Sequence, residues 1–481
     1  MGKSFLPDTL NQSLLLPPSL HDWLPEDHLA RFLADVMSQL DLSAIYASYG
    51  EMDGRGRSAY APEMMVRLLL YGYATGVTSS RKIEIKSYEE VPFRFLSGDQ
   101  HPDHDTIADF RKRHLDALAN LFTQALRLCE KAGLVKLGHV AIDGTKIKGN
   151  ASKHKAQSYE RMGESEARLR KDVEALLAEA EAVDAAEDAK YGKGKRIDEI
   201  PKDLRRREDR LKKLEQAKAE LEQEAREKAE QKRIEAEAKL AARREEEQRT
   251  GKKAGGRDPE VPNPDEARPD PKAQRNFTDP ESRIMPDGAN KGSFLQGYNA
   301  QVAVDSTAQV IVAAEITQEA NDNKQLVPML VQTEENLGRK PEKATADTGY
   351  FSEANVTDPR VAGIDLYIAT GRDKHGKAPE PATSPAPDGA TTGETMSTDT
   401  PPKEPTAKEA MQKKLRSEAG QKIYKMRKAV VEPVFGQIKE QRGIRRFRLR
   451  GLEKVRKEWR LICAAFNLRK LHRYGLEPQT A

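Results

Sequence analysis

Residues 158–190 and 201–249 are two long runs of Glu, Lys, Arg and Ala, and they interrupt every other pattern in the chain. Tyr159, Met162, Leu169, Val173 and Leu176 recur at coiled-coil-like steps in the first run. Leu204, Leu211, Leu214, Leu221 and Ala225 follow steps of seven, three, seven and four in the second. Between the runs, YGKGKRIDEIP (191–201) carries two Gly and a Pro, which break a helix. The pattern predicts two long helices folded back as an antiparallel coiled-coil hairpin over 158–250. A solvated structural arm is the plain reading of such charge-laced helices, and a dimer arm or DNA clamp is the functional one. In either case, any sheet in this chain draws its strands from both sides of the block.

Before the block, LGHVAIDGTKIK (137–148) reads as a strand. After it, residues 251–275 form a Pro, Gly and charge-rich linker. GYNAQVAVDSTAQVIVAAEIT (297–317) reads as a β-hairpin joined at AspSerThrAlaGln. Residues 324–337 read as a helix, 343–347 and 363–369 as strands, and 371–407, rich in Pro, Thr, Gly and Ser, as a disordered insertion. From about 408 the chain is helical again, with a turn near Arg442 and Gly443. With the insertions set aside, the order predicts an α/β fold. Its mixed sheet combines an antiparallel hairpin with parallel later strands, and spans 136–157, 276–370 and 408–475. Residues 1–135 read as an all-helical N-terminal domain, with helix starts at Pro62, at Ser79–Glu84 and at Asp105–Arg113. Short helices carrying surface Arg and Lys suit a helix-turn-helix-like DNA-binding module; a small structural domain is the alternative.

Charged residues make up 33% of the 481, so part of the chain must be solvated helix or linker. The net charge of +4 hides a concentration: from Lys439 to Arg473, thirteen Lys and Arg stand against three Glu. That local excess suggests a polyanionic partner. Cys129 and Cys463 sit in apolar helical contexts with no CxxC, which fits a reducing cytoplasm. No secretory leader and no run of about 18 apolar residues is present, so a cytoplasmic protein without a membrane span is expected.

Three acids stand in suggestive settings: Asp143 in VAIDGTKIKG, Asp347 in ATADTGYF and Glu432 in YKMRKAVVEPVFGQIK. The first two end β-branched runs and the third lies in a basic, apolar-periodic helix. Acids at strand ends and on a covering helix can converge beyond the carboxyl edge of a sheet. Converged carboxylates bind hard divalent cations, which serve phosphoryl chemistry. Lys439 follows Glu432 by seven positions on the same helix face, and Tyr424 and Arg427 lie upstream. Arg442, Arg445, Arg446, Arg448 and Arg450 follow in a short run suited to phosphate, and Lys146 and Lys148 alternate after Asp143.

These features together resemble the bacterial insertion-sequence DDE transposases, in the branch whose third acid lies in a Tyr-Arg-Glu-Lys helix motif. The carrying residues are Asp143 in IDGT, Asp347 in ADTGY, and Tyr424, Arg427, Glu432 and Lys439. YAPEMMVRLLLYGYATGVTSSRKIE also looks like the helical domain that precedes such cores. One departure is visible: four residues, not three, separate Arg427 from Glu432, and one helical step of about 100° turns a side chain to another face. The resemblance implies an RNase H-like core and two Mg²⁺ ions per site, with Mn²⁺ as substitute. Asp143 would bridge both ions, and Asp347 and Glu432 would each complete one. It further implies cleavage of double-stranded DNA at terminal inverted repeats and transfer of the freed 3′-hydroxyl into target DNA. A homo-oligomer assembled on DNA in the bacterial nucleoid would carry this out. Two other readings stay open: a metal-dependent nuclease without strand transfer, and a non-enzymatic DNA-binding coiled-coil protein.

Other patterns carry less. Asp103, His104 and Asp105 are contiguous and cannot all face one ion, so Asp103 or Asp105 reads as a helix N-cap. His139 reads as a core or surface histidine. There is no GxxxxGK[ST] loop and no GxSxG nucleophile elbow.

Overall fold

The structure is a computed structural model that describes residues 19–50, 58–191, 202–251, 256–288, 292–371 and 405–475. The expected break at 191–201 falls outside these from residue 192 on, and the Pro and Thr-rich insertion does so over 372–404. The chain packs as two compact units, one of residues 1–147, 299–448 and 453–481, the other of 148–298 and 449–452.

The first unit begins with seven helices: α1 (Leu29–Val36), α2 (Ser43–Gly50), α3 (Pro62–Thr75), α4 (Ser80–Glu89), α5 (Val91–Ser97), α6 (His104–Arg113) and α7 (Leu115–Lys131). Pro62 opens α3, where its missing N–H costs nothing, and the helix buries Met64, Met65, Leu68 and Leu69. Asp103 caps α6 by accepting from the Thr106 N–H at 2.8 Å, so the acidic triplet is a capping device. Gly76 ends α3 at φ +86°, and a Cβ there would stand 2.1 Å from the Arg442 carbonyl oxygen. Gly76→Ala is therefore expected to destabilise the chain by about 1–3 kcal/mol, read from urea melts, because strain and clash add.

The sheet of this unit follows. β1 (Val140–Lys148), β5 (Phe294–Asp305), β6 (Ile311–Thr317), β7 (Lys343–Ala346) and β8 (Asp365–Ile368) lie in the order β6–β5–β1–β7–β8. β5 and β6 pair antiparallel, while β1–β7 and β7–β8 are parallel, so the sheet is mixed as expected. Val140, Ala141 and Ile142, like Ala344 and Ala346, are fully or almost fully buried, as strands covered on both faces require. His139 is a core histidine: its Nε2 lies 2.9 Å from Thr345 Oγ1, and burial pushes its pKa down. Helices α10 (Leu326–Leu337) and α11 (Glu353–Val356) lie between the later strands, and α12 (Ala407–Arg416), α13 (Glu418–Gly436) and α14 (Leu452–Gly475) close the chain.

α13 runs through Pro433, which cannot donate to the carbonyl of Ala429. The Gln309 side-chain amide donates to that carbonyl at 2.9 Å, so the freed acceptor is satisfied and the helix continues. A π-helical turn (Gln437–Gln441) then ends it, before Gly443 at φ +63°. α14 carries the largest buried side chain, Trp459, together with Ile462 and Phe466. A buried polar knot ties α14 to the early helices. Tyr73 donates its hydroxyl to Glu458 at 3.2 Å, Arg111 donates to Tyr73 at 3.3 Å, and Glu458 accepts from the Arg448 N–H at 3.0 Å.

The second unit contains β2 (Ala156–Ser158), α8 (Tyr159–Tyr191), α9 (Lys202–Thr250), β3 (Gln274–Asn276) and β4 (Arg283–Pro286). β2 and β3 pair antiparallel, and β4 pairs antiparallel with Phe294–Gly297. Ion pairs Glu166–Lys218, Arg170–Glu215 and Asp172–Arg207 show α8 and α9 running in opposite directions. Met162, Leu169, Leu214, Ala217 and Leu221 are buried between them, with Phe277 and Ala273 packed against the cluster. Four of the residues that set the sequence periodicity are thus core residues of this helix pair.

Candidate active site

β1 delivers Asp143 at the point where the apolar run Val140–Ile142 gives way to Gly144. Its Oδ1 accepts from the Gly144 N–H at 2.8 Å, which turns the carboxyl toward the sheet edge. β7 ends one residue before Asp347, whose Oδ1 accepts from the Gly349 N–H at 2.8 Å and caps a short 3₁₀ turn. β1 and β7 are parallel neighbours, so both acids emerge at the same end of the sheet. α13 supplies the third group: Arg427 donates to Asp143 Oδ2 at 3.1 Å and lies 3.9 Å from Glu432. Its side chain is only 9% exposed, so this is a partly desolvated ion pair, whereas Glu432 is 54% exposed.

The electrostatics follow the geometry. Burial pushes the Asp143 pKa up to about 6; Arg427 and the Gly144 N–H oppose the rise, and the charges of Asp347 and Asp322 add to it. Burial disfavours a charged Arg427, but the carboxylates around it, Asp143 foremost, hold its pKa above the ordinary arginine value. Burial raises the Tyr424 pKa, with Arg427 hydrogen-bonded to the phenol and opposing the shift. Tyr424 and Arg427 therefore face the same space as Asp143 and Asp347. Lys439 reaches β1 as well, donating to Thr145 Oγ1 at 3.0 Å.

The remaining expected cations are placed differently. Lys146 lies 3.5 Å from Asp322, and Lys148 is exposed at the end of β1. Arg442 is buried, with its guanidinium 4.9 Å from the centre of the Phe466 ring. Burial lowers its pKa to about 10, and the guanidinium packs on the ring face. Arg445 pairs with Glu440, and Arg448 donates to Thr78 Oγ1 at 3.0 Å, while Arg446 is exposed.

Sequence reasoning missed Asp322 and the two amides that hold it. Asn299 Nδ2 and Gln301 Nε2 donate to its Oδ1 at 2.6 and 2.7 Å. Gln301 in turn accepts from the Tyr350 hydroxyl. The available signal was the alternation Asn299, Gln301 inside the run YNAQVAV of β5, since buried amides on a central strand need dedicated partners.

A family model described as a transposase DDE domain matches residues 390–472, and one described as a transposase domain (DUF772) matches 18–113. Together these two matches indicate an insertion-sequence family of DDE transposases. The DDE match takes in Tyr424, Arg427, Glu432 and Lys439, and the other takes in α1 to α6. No curated protein and no solved structure matches this transposase. No helix among the described residues is long and apolar enough to cross a membrane.

DDE transposases generally use a divalent metal. The oxygen-only donors of this site suit a hard cation. Among the described residues, however, no three His, Cys, Asp or Glu side chains lie close enough together to hold one. The chain presents a carboxylate–guanidinium cluster here, with Arg427 as the counter-cation of Asp143.

Proposed function

We propose that this transposase cuts DNA at the ends of its element and joins the freed 3′-hydroxyl to target DNA, at the pocket of Asp143, Asp347 and Glu432. The observation that carries the reading is the Arg427 guanidinium, which brings Asp143 of the first strand and Glu432 of a late helix onto one shared partner. The order β6–β5–β1–β7–β8, with an antiparallel hairpin and parallel later strands, supports an RNase H-like core. In this reading the helix pair α8–α9 is an inserted coiled-coil hairpin, and the seven N-terminal helices bind DNA.

Cleavage breaks a P–O3′ bond as water attacks phosphorus, leaving a 5′-phosphate and a 3′-hydroxyl. Strand transfer is the same displacement with that hydroxyl as nucleophile: its oxygen bonds to a target phosphorus and the target strand's 3′-oxygen leaves. In this reading Lys439, Lys146, Tyr424 and Arg427 grip the flanking phosphates and neutralise charge on the non-bridging oxygens. Two copies of the chain would act on two DNA ends.

The test uses the full chain in Mg²⁺ buffer, labelled duplexes bearing the DNA that flanks its coding sequence, and a supercoiled plasmid. Nicked ends that become joined to the plasmid are expected. Nicks without joined product favour the plain nuclease, and neither product, with duplex binding intact, favours the non-enzymatic DNA-binding protein.

A further inference from the structure

We propose that Asp322 is a positioning residue of this site, a fourth carboxylate that holds the Lys146 ammonium against the turn that follows Asp143. The proposal rests on the reading of the Asp143 pocket given above.

Asn299 and Gln301 are alternate residues of β5 and so point to one face of the sheet. Both are fully buried, next to Tyr298, Ala300 and Val302, which are buried too. Two buried amides cost stability unless each finds a partner, and both donate to the same oxygen, Asp322 Oδ1. Asn299 also donates to the Glu319 carbonyl at 3.1 Å, which anchors the loop on which Asp322 stands. The carboxylate is thus held by the sheet rather than by the surface loop alone.

Its surroundings are the loops of the other acids. A Cβ on Gly144, next to Asp143, would stand 2.9 Å from Asp322 Oδ1, and a Cβ on Gly349, two residues after Asp347, would stand 3.7 Å from Oδ2. Asp322 therefore lies between the two acid-bearing turns, and its charge is felt by Asp143 and Tyr350. The cation it faces is Lys146, 3.5 Å away, with both side chains less than one-fifth exposed. Without that carboxylate, a lysine side chain has about 2 kcal/mol of rotamer freedom to lose before it can grip a phosphate. With it, the ammonium is already confined next to Gly144, the residue that follows Asp143.

Asp322→Asn isolates the charge: the amide oxygen still accepts from Asn299 and Gln301, while the ion pair to Lys146 is lost. In the full chain, thermal melts of this variant should stay close to wild type, and end-DNA affinity within about threefold. Single-turnover cleavage should fall about 10²-fold, the scale of a misplaced binding group. Lys146→Gln should lose a similar factor, and the double variant no more than the worse single one, since the two act as a unit. Asp322→Glu should recover only part of the rate.

Wild-type cleavage by Asp322→Asn overturns the proposal. So does a double variant whose loss is the product of the two single losses, or a rate loss matched by an equal loss of DNA affinity. Asp143→Asn is assayed in parallel. If that variant still cuts, the Asp143 pocket itself is wrong. If only the coupling between positions 322 and 146 is missing, the pocket stands and the role of Asp322 falls.

Discussion

Asp143→Asn is expected to lower strand cleavage by about 10³-fold, while binding of end DNA stays within about threefold of wild type. The rate should collapse because the variant removes the carboxylate that Arg427 hydrogen-bonds at 3.1 Å and whose ionisation Asp347 and Asp322 oppose. Binding should survive because affinity for DNA comes from cations spread over the phosphate backbone. A gel assay of single-turnover cleavage beside a filter-binding curve separates the two. Undiminished cutting by the variant would sink the assignment.

The pH dependence follows from the same group. With its pKa pushed up to about 6, Asp143 loses its charge well above the range of an ordinary aspartate, so the wild-type rate should fall about tenfold per unit below pH 6. Stability has the opposite sign. The folded pKa lies above the ordinary value of 3.8, so the stability that this group contributes is fully present below about 3.8 and is lost as pH rises through about 6. Urea melts of the chain across that window should show this slope, and Asp143→Asn should remove it.

The second large effect concerns the core behind the site. Trp459→Ala should destabilise the chain by about 3–5 kcal/mol in urea unfolding. The indole is fully buried, packs edge-on to Phe447 with ring centres 6.3 Å apart, and donates to the Gln301 carbonyl at 3.1 Å. Alanine leaves a cavity and an orphaned carbonyl together. Trp459→Phe keeps most of the volume and loses only the hydrogen bond, so its cost should be nearer 1 kcal/mol. Gln301 also holds Asp322, so cleavage should suffer in both variants even where the fold persists. Equal melts for wild type and alanine variant would show that this part of the core is loosely packed.

Much of the sheet was legible because its strands are short apolar runs with marked ends. Asp347 before Thr348 and Gly349 closed its strand, Asp143 stood at the end of its apolar run although β1 continues to Lys148, and the hairpin at 297–317 carried its own turn residues. β2, β3 and β4 were not legible. AlaGlnSer, GlnArgAsn and ArgIleMetPro have no alternation of their own, and they become strands only through partners far along the chain. Asp322 was hidden in a polar turn, where an Asp has an ordinary local explanation. Arg442 looked like a member of an arginine run, but the close approach of Gly76 and the face of Phe466 bury it. The extra residue between Arg427 and Glu432 also proved a poor guide to direction. A guanidinium on a long stem covers more angle than one helical step removes, and Arg427 reaches Asp143.

The short β2–β3 pairing has a consequence for the order of events as the chain emerges during synthesis. β1 ends at Lys148 and its sheet neighbour β5 begins only at Phe294, so the central pairing waits on a long intervening stretch. Pairing Ala156 with Asn276 closes that stretch at its base, outside the α8–α9 contacts such as Glu166 with Lys218, which span a shorter loop. A search that would otherwise grow with loop length is replaced by successive local closures, each fast on the scale of translation. On that order of closure, β5 should meet β1 across a stretch already shortened by the α8–α9 and β2–β3 contacts.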